Sequence, residues 1–224
     1  MSARSSLFRS ALVTGAASGI GAAAVATLEA EGCDVLPLDL ATGFDVADAT
    51  AWEQVGAVDF AFLNAGVATG MGEIAELDGE LYSRAVGANV DGVVLGTRRM
   101  AQVMEPGSAI VATASLAGLV PFPLDPVYTL TKHAVVGFVR SVAPQLFERG
   151  ISINALCPGF ADTPIVDPEL RDWVAEQSIP LLSAEAVAQA ALAAARSGET
   201  GQAWVVQPGR EPIVYEFRGV PGPR

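Results

Sequence analysis

The sequence predicts an α/β fold, one doubly wound parallel sheet with helices on both of its faces. Three observations lead there. Short, nearly uninterrupted apolar runs alternate with helical patterns from end to end. Runs of that kind are strands buried on both sides, which is how strands of a parallel sheet read. Finally, 224 residues that are 51% hydrophobic and only 17% charged can bury one core without disulfides or metal, and they exclude intrinsic disorder.

Along the chain, strands are predicted at Ala11–Thr14, Cys33–Leu38, Val58–Leu63, Ala109–Ala114, Ile151–Leu156 and Gln202–Val206. Helical patterns fall between them: Gly19–Glu31, a short Ala47–Val55, a long Leu77–Met104, Tyr128–Arg149 and Ser183–Ser197. Repetition of strand, helix, strand requires right-handed crossovers and helices on both faces. No linker, repeat or low-complexity tract divides the chain, so residues 1–224 read as a single domain. The segment 158–182, with Pro158, Pro164, Pro168 and Pro180, reads as a long irregular loop, and such loops inside compact domains are usually functional. The tail, 207–224, is rich in proline and glycine, but Ile213, Val214, Tyr215 and Phe217 give it something to dock.

Composition removes several classes of function. A formal charge of −12 opposes phosphate backbones and anionic membranes, so no nucleic-acid or membrane partner is expected. Two cysteines, Cys33 and Cys157, form no C-x-x-C pair, and the single histidine, His133, cannot build a metal cluster. Both cysteines read as small buried hydrophobes in a reducing, cytoplasmic compartment, with no metal site. Arg4 and Arg9 before the uncharged stretch from Ser10 to Leu28 imitate a secretory signal. Thr14, Gly15, Ser18, Gly19 and Gly21 interrupt that stretch and suit a strand, a turn and a helix start instead.

That turn is the first chemical signal. Gly15, Ala17, Ser18, Gly19, Ile20 and Gly21 follow the first strand and open a helix, where glycines let a pyrophosphate approach the helix N-terminal N–H groups. The second strand ends at Asp39, about 20 residues on, where a carboxylate accepts hydrogen bonds from the adenosine ribose hydroxyls. Together they predict a Rossmann-type dinucleotide site. The charge of Asp39 repels a 2′-phosphate, and Ala16, Ala17 and Leu40 offer no cation, so NAD is expected rather than NADP.

Asn64-Ala65-Gly66 follows the third strand, Asn89 lies within the long helix, Ser115 follows the fourth strand, and Tyr128-x-x-x-Lys132 opens the next helix. A tyrosine, with a pKa of about 10, is a poor base at neutral pH, but a lysine at i+4 on the same helical face favours phenolate. Tyr128 is then the acid/base for a substrate hydroxyl, and Ser115 stabilises the developing charge on its oxygen. His133 points about 100° away from Lys132 and reads as a packed or exposed residue.

In its order of motifs the chain resembles the short-chain dehydrogenase/reductase family: T-G-x-x-x-G-x-G, N-A-G, the Asn, the Ser thirteen residues before Tyr-x-x-x-Lys, and Pro158-Gly159 after the next strand. The resemblance runs from about Ala11 to Val206. It implies that Lys132 also holds the nicotinamide ribose and that Asn89 anchors a water passing the proton of Lys132 to solvent. It further implies dinucleotide contacts at Leu40, Asp45, Val46, Tyr128, Pro158, Gly159, Phe160 and Thr163, with Asp45 accepting from the adenine amine or, alternatively, serving only as a loop cap. Two departures stand out: Leu63 occupies a place where the family often has a first Asn, and the stretch from Asp45 to Asp59 is short, a trimmed helix.

Leu116, Phe122, Phe160, Ile165 and Trp173 are expected to line an apolar pocket suited to a hydrophobic secondary alcohol or its ketone, with 158–182 as a lid over a substrate of modest size. The expected activity is therefore an NAD-dependent alcohol dehydrogenase or ketone reductase. Two alternatives remain at this stage, a dinucleotide-binding regulatory protein without turnover and an isomerase or dehydratase on the same scaffold. Ala85, Val86, Val90, Val94, Val135, Val136, Val139 and Ala143 look like surplus apolar helix surface, which predicts subunit contacts. The resemblance implies a homotetramer, with a dimer as the smaller alternative.

Overall fold

The computed structural model describes residues 8–70 and 73–219. Arg4 of the signal-like pattern and residues 220–224 of the tail lie outside the described residues. The chain runs β1 (Ser10–Thr14), α1 (Gly19–Ala30), β2 (Asp34–Leu38), α2 (Ala49–Trp52), β3 (Phe60–Leu63), α3 (Gly79–Val86), a π-helical segment (Gly87–Asp91), α4 (Gly92–Val103) and β4 (Ala109–Thr113). It continues through α5 (Pro126–Phe147), β5 (Ser152–Pro158), α6 (Pro168–Glu176), α7 (Ala184–Arg196), β6 (Ala203–Val206) and β7 (Ile213–Val214).

All strands join one sheet in the order β2-β1-β3-β4-β5-β6-β7, parallel except for β7, which pairs antiparallel with β6. From β1 the chain moves outward to β2 and then returns to the other side of β1 as β3. This reversal opens a crevice at the carboxyl ends of the strands, where ligands of doubly wound sheets bind. β2 is the sheet's edge, the one place where a strand tolerates Pro37.

Alternation along the strands divides the core. Ala11, Val13, Phe60, Phe62, Ala109 and Val111 face one layer with Leu28 of α1 and Leu192 of α7. Leu12, Ala61, Leu63, Ile110 and Ala112 face the other with Met100 of α4 and Val139 of α5. Successive side chains of a strand point to opposite faces, so strands apolar at every position must be covered twice. An ion pair between Arg196 and Glu31 joins α7 to α1 on the first of these layers.

Three features depart from the sequence reading, and a fourth, the tail, gives its expected docking a definite form. The predicted helix Leu77–Met104 is three pieces. Asp78 caps it at the Glu80 N–H, and at its centre the Gly92 N–H reaches back five residues to the Gly87 carbonyl, a π-turn of the kind often found at functional sites. The segment 158–182 contains α6, because Asp167 caps the Leu170 N–H and Pro168 occupies the first helical position. The tail docks by pairing as β7, and the Tyr215 N–H bonds to the Ala203 carbonyl while Arg140 lies 3.6 Å over the Phe217 ring. Finally, Ala85, Val135, Val136, Val139 and Ala143 are buried within this one chain, so they are not surplus; the exposed apolar groups of the helices are Tyr82, Leu130 and Phe147.

The short Asp45–Asp59 stretch holds only the one-turn α2, yet it buries Trp52, whose indole N–H donates to the Val46 carbonyl at 2.9 Å. Trp52 and Leu63 both press on Gly96 of α4: a Cβ there would lie 2.8 Å from Leu63 Cδ2 and 2.9 Å from Trp52. Leu63 therefore packs α4 against the sheet rather than serving the loop after β3. Gly96→Val is expected to lower stability by about 1–3 kcal/mol through overpacking, read as a lower urea midpoint at unchanged slope.

Candidate active site

The site is assembled at the carboxyl ends of β1, β3, β4 and β5. After β1, Gly15 has φ +67°, and a Cβ on it would lie 2.9 Å from Ala65 Cα; a Cβ on Gly21 would lie 2.0 Å from the Gly15 carbonyl oxygen. The turn therefore closes tightly onto both its own helix and the loop after β3, a cradle that side chains would fill. Ser18 leaves the first N–H groups of α1 without a side-chain cap, and the first turn carries no acidic residue. Free N–H groups at a helix start suit the phosphates of a dinucleotide. Thr163 lies against Gly19, 3.0 Å from where its Cβ would be, so the strand-β5 loop covers this turn.

At the end of β2, Asp39 accepts from the Ala17 N–H at 3.0 Å and from the Ala41 N–H at 2.9 Å. Each oxygen thus has one bond and keeps a free lone pair. Leu40 beside it is 72% exposed, an apolar lip fit to lie against a purine. Asp45 caps the Ala47 N–H at 2.9 Å, and Val46 is buried against Gly92, so both residues have a structural function.

Asn64 stitches the strand ends together. Its side-chain N–H₂ donates to the Thr14 carbonyl at 3.2 Å, and its side-chain oxygen accepts from the Thr113 hydroxyl at 3.0 Å. The Thr14 hydroxyl accepts from the Asn64 and Ala65 N–H groups, at 2.9 and 3.0 Å. Gly66 is next in the chain, and a Cβ on it would meet Asn89 Oδ1 at 2.9 Å and Lys132 Nζ at 3.4 Å. Asn89, on the π-segment, is fully buried and spends its side chain on the Val67 N–H, the Val67 carbonyl and the Thr131 hydroxyl, at 2.7, 2.9 and 2.9 Å. Both side-chain donors are therefore taken by protein groups, while Oδ1 keeps one lone pair. Thr14, Thr113 and Thr131 are parts of this network that the sequence reading missed.

Ser115, after β4, caps a short turn at the Ala117 N–H, and its hydroxyl stands near enough to Tyr128 to oppose the rise of the phenol's pKa. Lys132 is buried, donates to the Thr113 carbonyl at 2.8 Å and stands 5.3 Å over the Tyr128 ring. Ser115, Tyr128 and Lys132 thus lie together, and burial shifts both titrating groups. Burial pushes the Tyr128 phenol up to about 12, Asp125 and Cys157 add to the rise, and only the Ser115 hydroxyl opposes it. The same burial pushes Lys132 down to about 8. For both groups desolvation is the largest cause of the shift.

Of the expected pocket residues, Phe122, Phe160 and Trp173 form one aromatic cluster, with ring centroids 5.8 and 6.2 Å apart in succession. Leu116 lies 3.5 Å from a Cβ placed on Gly159. Ile165 is exposed on the outer part of the segment. The foot of that segment is pinned where the Asp162 N–H bonds to the Leu182 carbonyl and the Leu182 N–H to that of Phe160. His133 is exposed, its Nδ1 3.0 Å from the Thr129 carbonyl, and Cys33 and Cys157 are buried and unpaired. No group of His, Cys, Asp and Glu among the described residues is arranged to hold a metal ion, and no helix there is long and apolar enough to cross a membrane.

A dinucleotide-type cradle beside a Ser, Tyr and Lys cluster defines an oxidoreductase of the doubly wound class. The chain belongs to the short-chain dehydrogenase/reductase family: a family model described as enoyl-(acyl carrier protein) reductase matches residues 41–210. It is 35% identical to 2-(R)-hydroxypropyl-CoM dehydrogenase of Xanthobacter autotrophicus over 74% of this chain and 82% of that one. A borneol dehydrogenase of Lavandula x intermedia is 32% identical over 81% of each chain. Among solved structures, a 3-ketoacyl-(acyl-carrier-protein) reductase from Brucella melitensis complexed with NADH is similar with a TM-score of 0.78, at 26% identity, covering 92% of this chain and 100% of that one.

Folding takes the Lys132 ammonium out of water and lowers its pKa from 10.5 to about 8. Its charged form is thus penalised fully below pH 8, and the penalty is relieved between about 8 and 10.5, where the unfolded chain binds the extra proton. Lys132→Met removes that penalty. The melting temperature of Lys132→Met relative to the parent is therefore expected to fall by on the order of 5 °C between pH 7 and 10.5; a pH-independent difference in scanning calorimetry would contradict the desolvation argument.

Proposed function

We propose that the protein interconverts a hydrophobic secondary alcohol and its ketone with NAD, Tyr128 serving as acid/base. The observation that carries this reading is the Ser115 hydroxyl beside Tyr128, with Lys132 5.3 Å over the Tyr128 ring, at the carboxyl end of β4. Bound NAD supplies the hydride acceptor and, in its oxidised form, a positive charge. In the oxidation Tyr128 takes the carbinol proton while the carbinol carbon gives up its hydride; the reverse step returns both to the ketone. Ser115 donates to the same oxygen, where charge develops. Lys132, half-way to neutrality near pH 8, is suited to receive the proton from Tyr128.

Asn89 serves the reaction by fixing the loop after β3 against α5 through Val67 and Thr131. The dinucleotide would lie along Gly15–Gly21, Asp39–Leu40, Asp45–Val46, Asn64–Gly66, Tyr128, Lys132 and Pro158–Thr163. The free lone pairs of Asp39 suit two ribose hydroxyls and its charge disfavours a 2′-phosphate. The Phe122, Phe160 and Trp173 cluster favours a ring-bearing or otherwise apolar substrate of modest size. The relatives' names, dehydrogenases of 2-(R)-hydroxypropyl-CoM and of borneol, agree with a hydroxyl-bearing substrate. The two buried free thiols suit a reducing cytoplasm, and the exposed Tyr82, Leu130 and Phe147 support assembly as a homotetramer.

Tyr128→Phe is expected to lower kcat by at least about 10²-fold in an NAD-reduction assay over secondary alcohols graded in size. NADH affinity by fluorescence titration should stay within about twofold, because the phenyl ring is kept. Retained turnover would refute the acid/base assignment. Asp39→Ser is expected to narrow the NAD over NADP preference by about 10²-fold or more in kcat/KM, since it removes both a charge repulsion and the ribose acceptors. An unchanged ratio would contradict the cofactor reading.

A further inference from the structure

We propose that Asp125 is the positioning residue that locks the loop after β3 to the backbone of Tyr128 and so sets the substrate side of the site, an inference that rests on the reading above.

Asp125 is the N-cap of α5, and a helix cap needs only one of its oxygens. Its Oδ1 accepts from the Tyr128 N–H at 2.8 Å and from the Thr69 hydroxyl; its Oδ2 accepts from the N–H groups of Thr69 and Gly70, at 2.7 and 3.3 Å. An ionised carboxyl has four lone-pair sites, and here all four are filled. Three of the four donors come from a loop more than fifty residues away in sequence. The group is only 4% exposed, so these bonds form away from competing water.

The other side of the same residue's backbone is held as well. The Tyr128 carbonyl accepts from the Thr131 hydroxyl at 2.8 Å, and that hydroxyl accepts from Asn89, which grips Val67. The Tyr128 backbone is thus tied to the loop twice, to Val67 through Asn89 and to Thr69–Gly70 through Asp125. The two ties have different reach. Asn64–Gly66 is anchored by Thr14, Thr113 and the Asn89 contact, independently of Asp125. Gly70 leads away from the cofactor side: a Cβ on it would lie 3.8 Å from Asp167 Oδ2, the cap of α6, whose Trp173 belongs to the aromatic cluster. One carboxylate therefore sets the start of the Tyr128 helix and the loop beside the foot of the lid, while leaving the dinucleotide cradle to other bonds.

Asp125→Asn separates this role from simple capping. Asparagine keeps an oxygen for the Tyr128 N–H and caps helices as well as aspartate, but its NH₂ cannot accept from the Thr69 and Gly70 N–H groups. The variant is expected to raise substrate KM about tenfold, as the loss of one to two charge-assisted bonds predicts. NADH affinity should stay within about twofold, while the melting temperature is expected to fall by a few degrees, because the N–H groups of Thr69 and Gly70 lose their buried acceptor. Amide hydrogen exchange is expected to rise in a peptide covering residues 67–70 and to stay unchanged in one covering 130–140. Parental KM and parental exchange in Asp125→Asn would reduce Asp125 to a cap and overturn the proposal. The exchange measurement needs no substrate. If the parent protein turns over no alcohol or ketone, the proposed function fails by itself, and the exchange result still decides for or against the role of Asp125.

Discussion

The crevice between β1 and β3 is held by the side chain of Asn64. Winding a parallel sheet outward from its centre in two directions leaves the ends of β1 and β3 pointing into open space, and only loops lead from them to their next helices. Asn64 donates to the Thr14 carbonyl on one side and accepts from the Thr113 hydroxyl on the other, joining β1 to β4 across β3. The Thr113 carbonyl in turn receives the Lys132 ammonium. A line of hydrogen bonds thus runs from the glycine turn to the helix that carries Tyr128 and Lys132. In a low-dielectric interior a saturated network of this kind is rigid, since an unpaired member would bear its full desolvation cost.

The burial that makes this network rigid also governs the acid/base chemistry. It raises Tyr128 and lowers Lys132, so each is shifted toward its neutral form. Cys157, at the end of β5, feels the same environment, its thiol pushed up to about 12. In a low-dielectric site an added positive charge acts on a phenol more strongly than it would in water. A net charge of −12 does not conflict with a bound dinucleotide, because the first turn of α1 and the glycine turn carry no acidic side chain where phosphates would lie.

Much of the architecture was legible because it depends on short-range patterns. Apolar runs such as Phe60–Leu63 and Ala109–Thr113 have to be covered on both faces, and the glycine turn with Asp39 after the next strand specifies where a dinucleotide fits. What escaped was chemistry with two readings. Pro164 and Pro168 looked like loop residues, yet Asp167-Pro168 is a cap followed by a first helical residue, and Asp125-Pro126 repeats the signal at the helix that carries Tyr128. The π-segment around Asn89 has no composition of its own. Nor could sequence separate core from interface among Val135, Val136, Val139 and Ala143, which periodicity makes apolar in either case and which the fold buries within the chain.

The sequence by itself determined the class of fold, the order of the motifs and the residue types at the reacting centre, because local propensity, apolar period and motif spacing are properties of the chain. The tertiary structure alone decided which charges are stable there and which polar groups meet. The drop of Lys132, on α5, to about 8 comes from its burial beside the end of β4, and the four-donor grasp of Asp125 joins segments more than fifty residues apart. Desolvation and long-range hydrogen bonds depend on what surrounds a residue in space, which spacing along the chain does not encode.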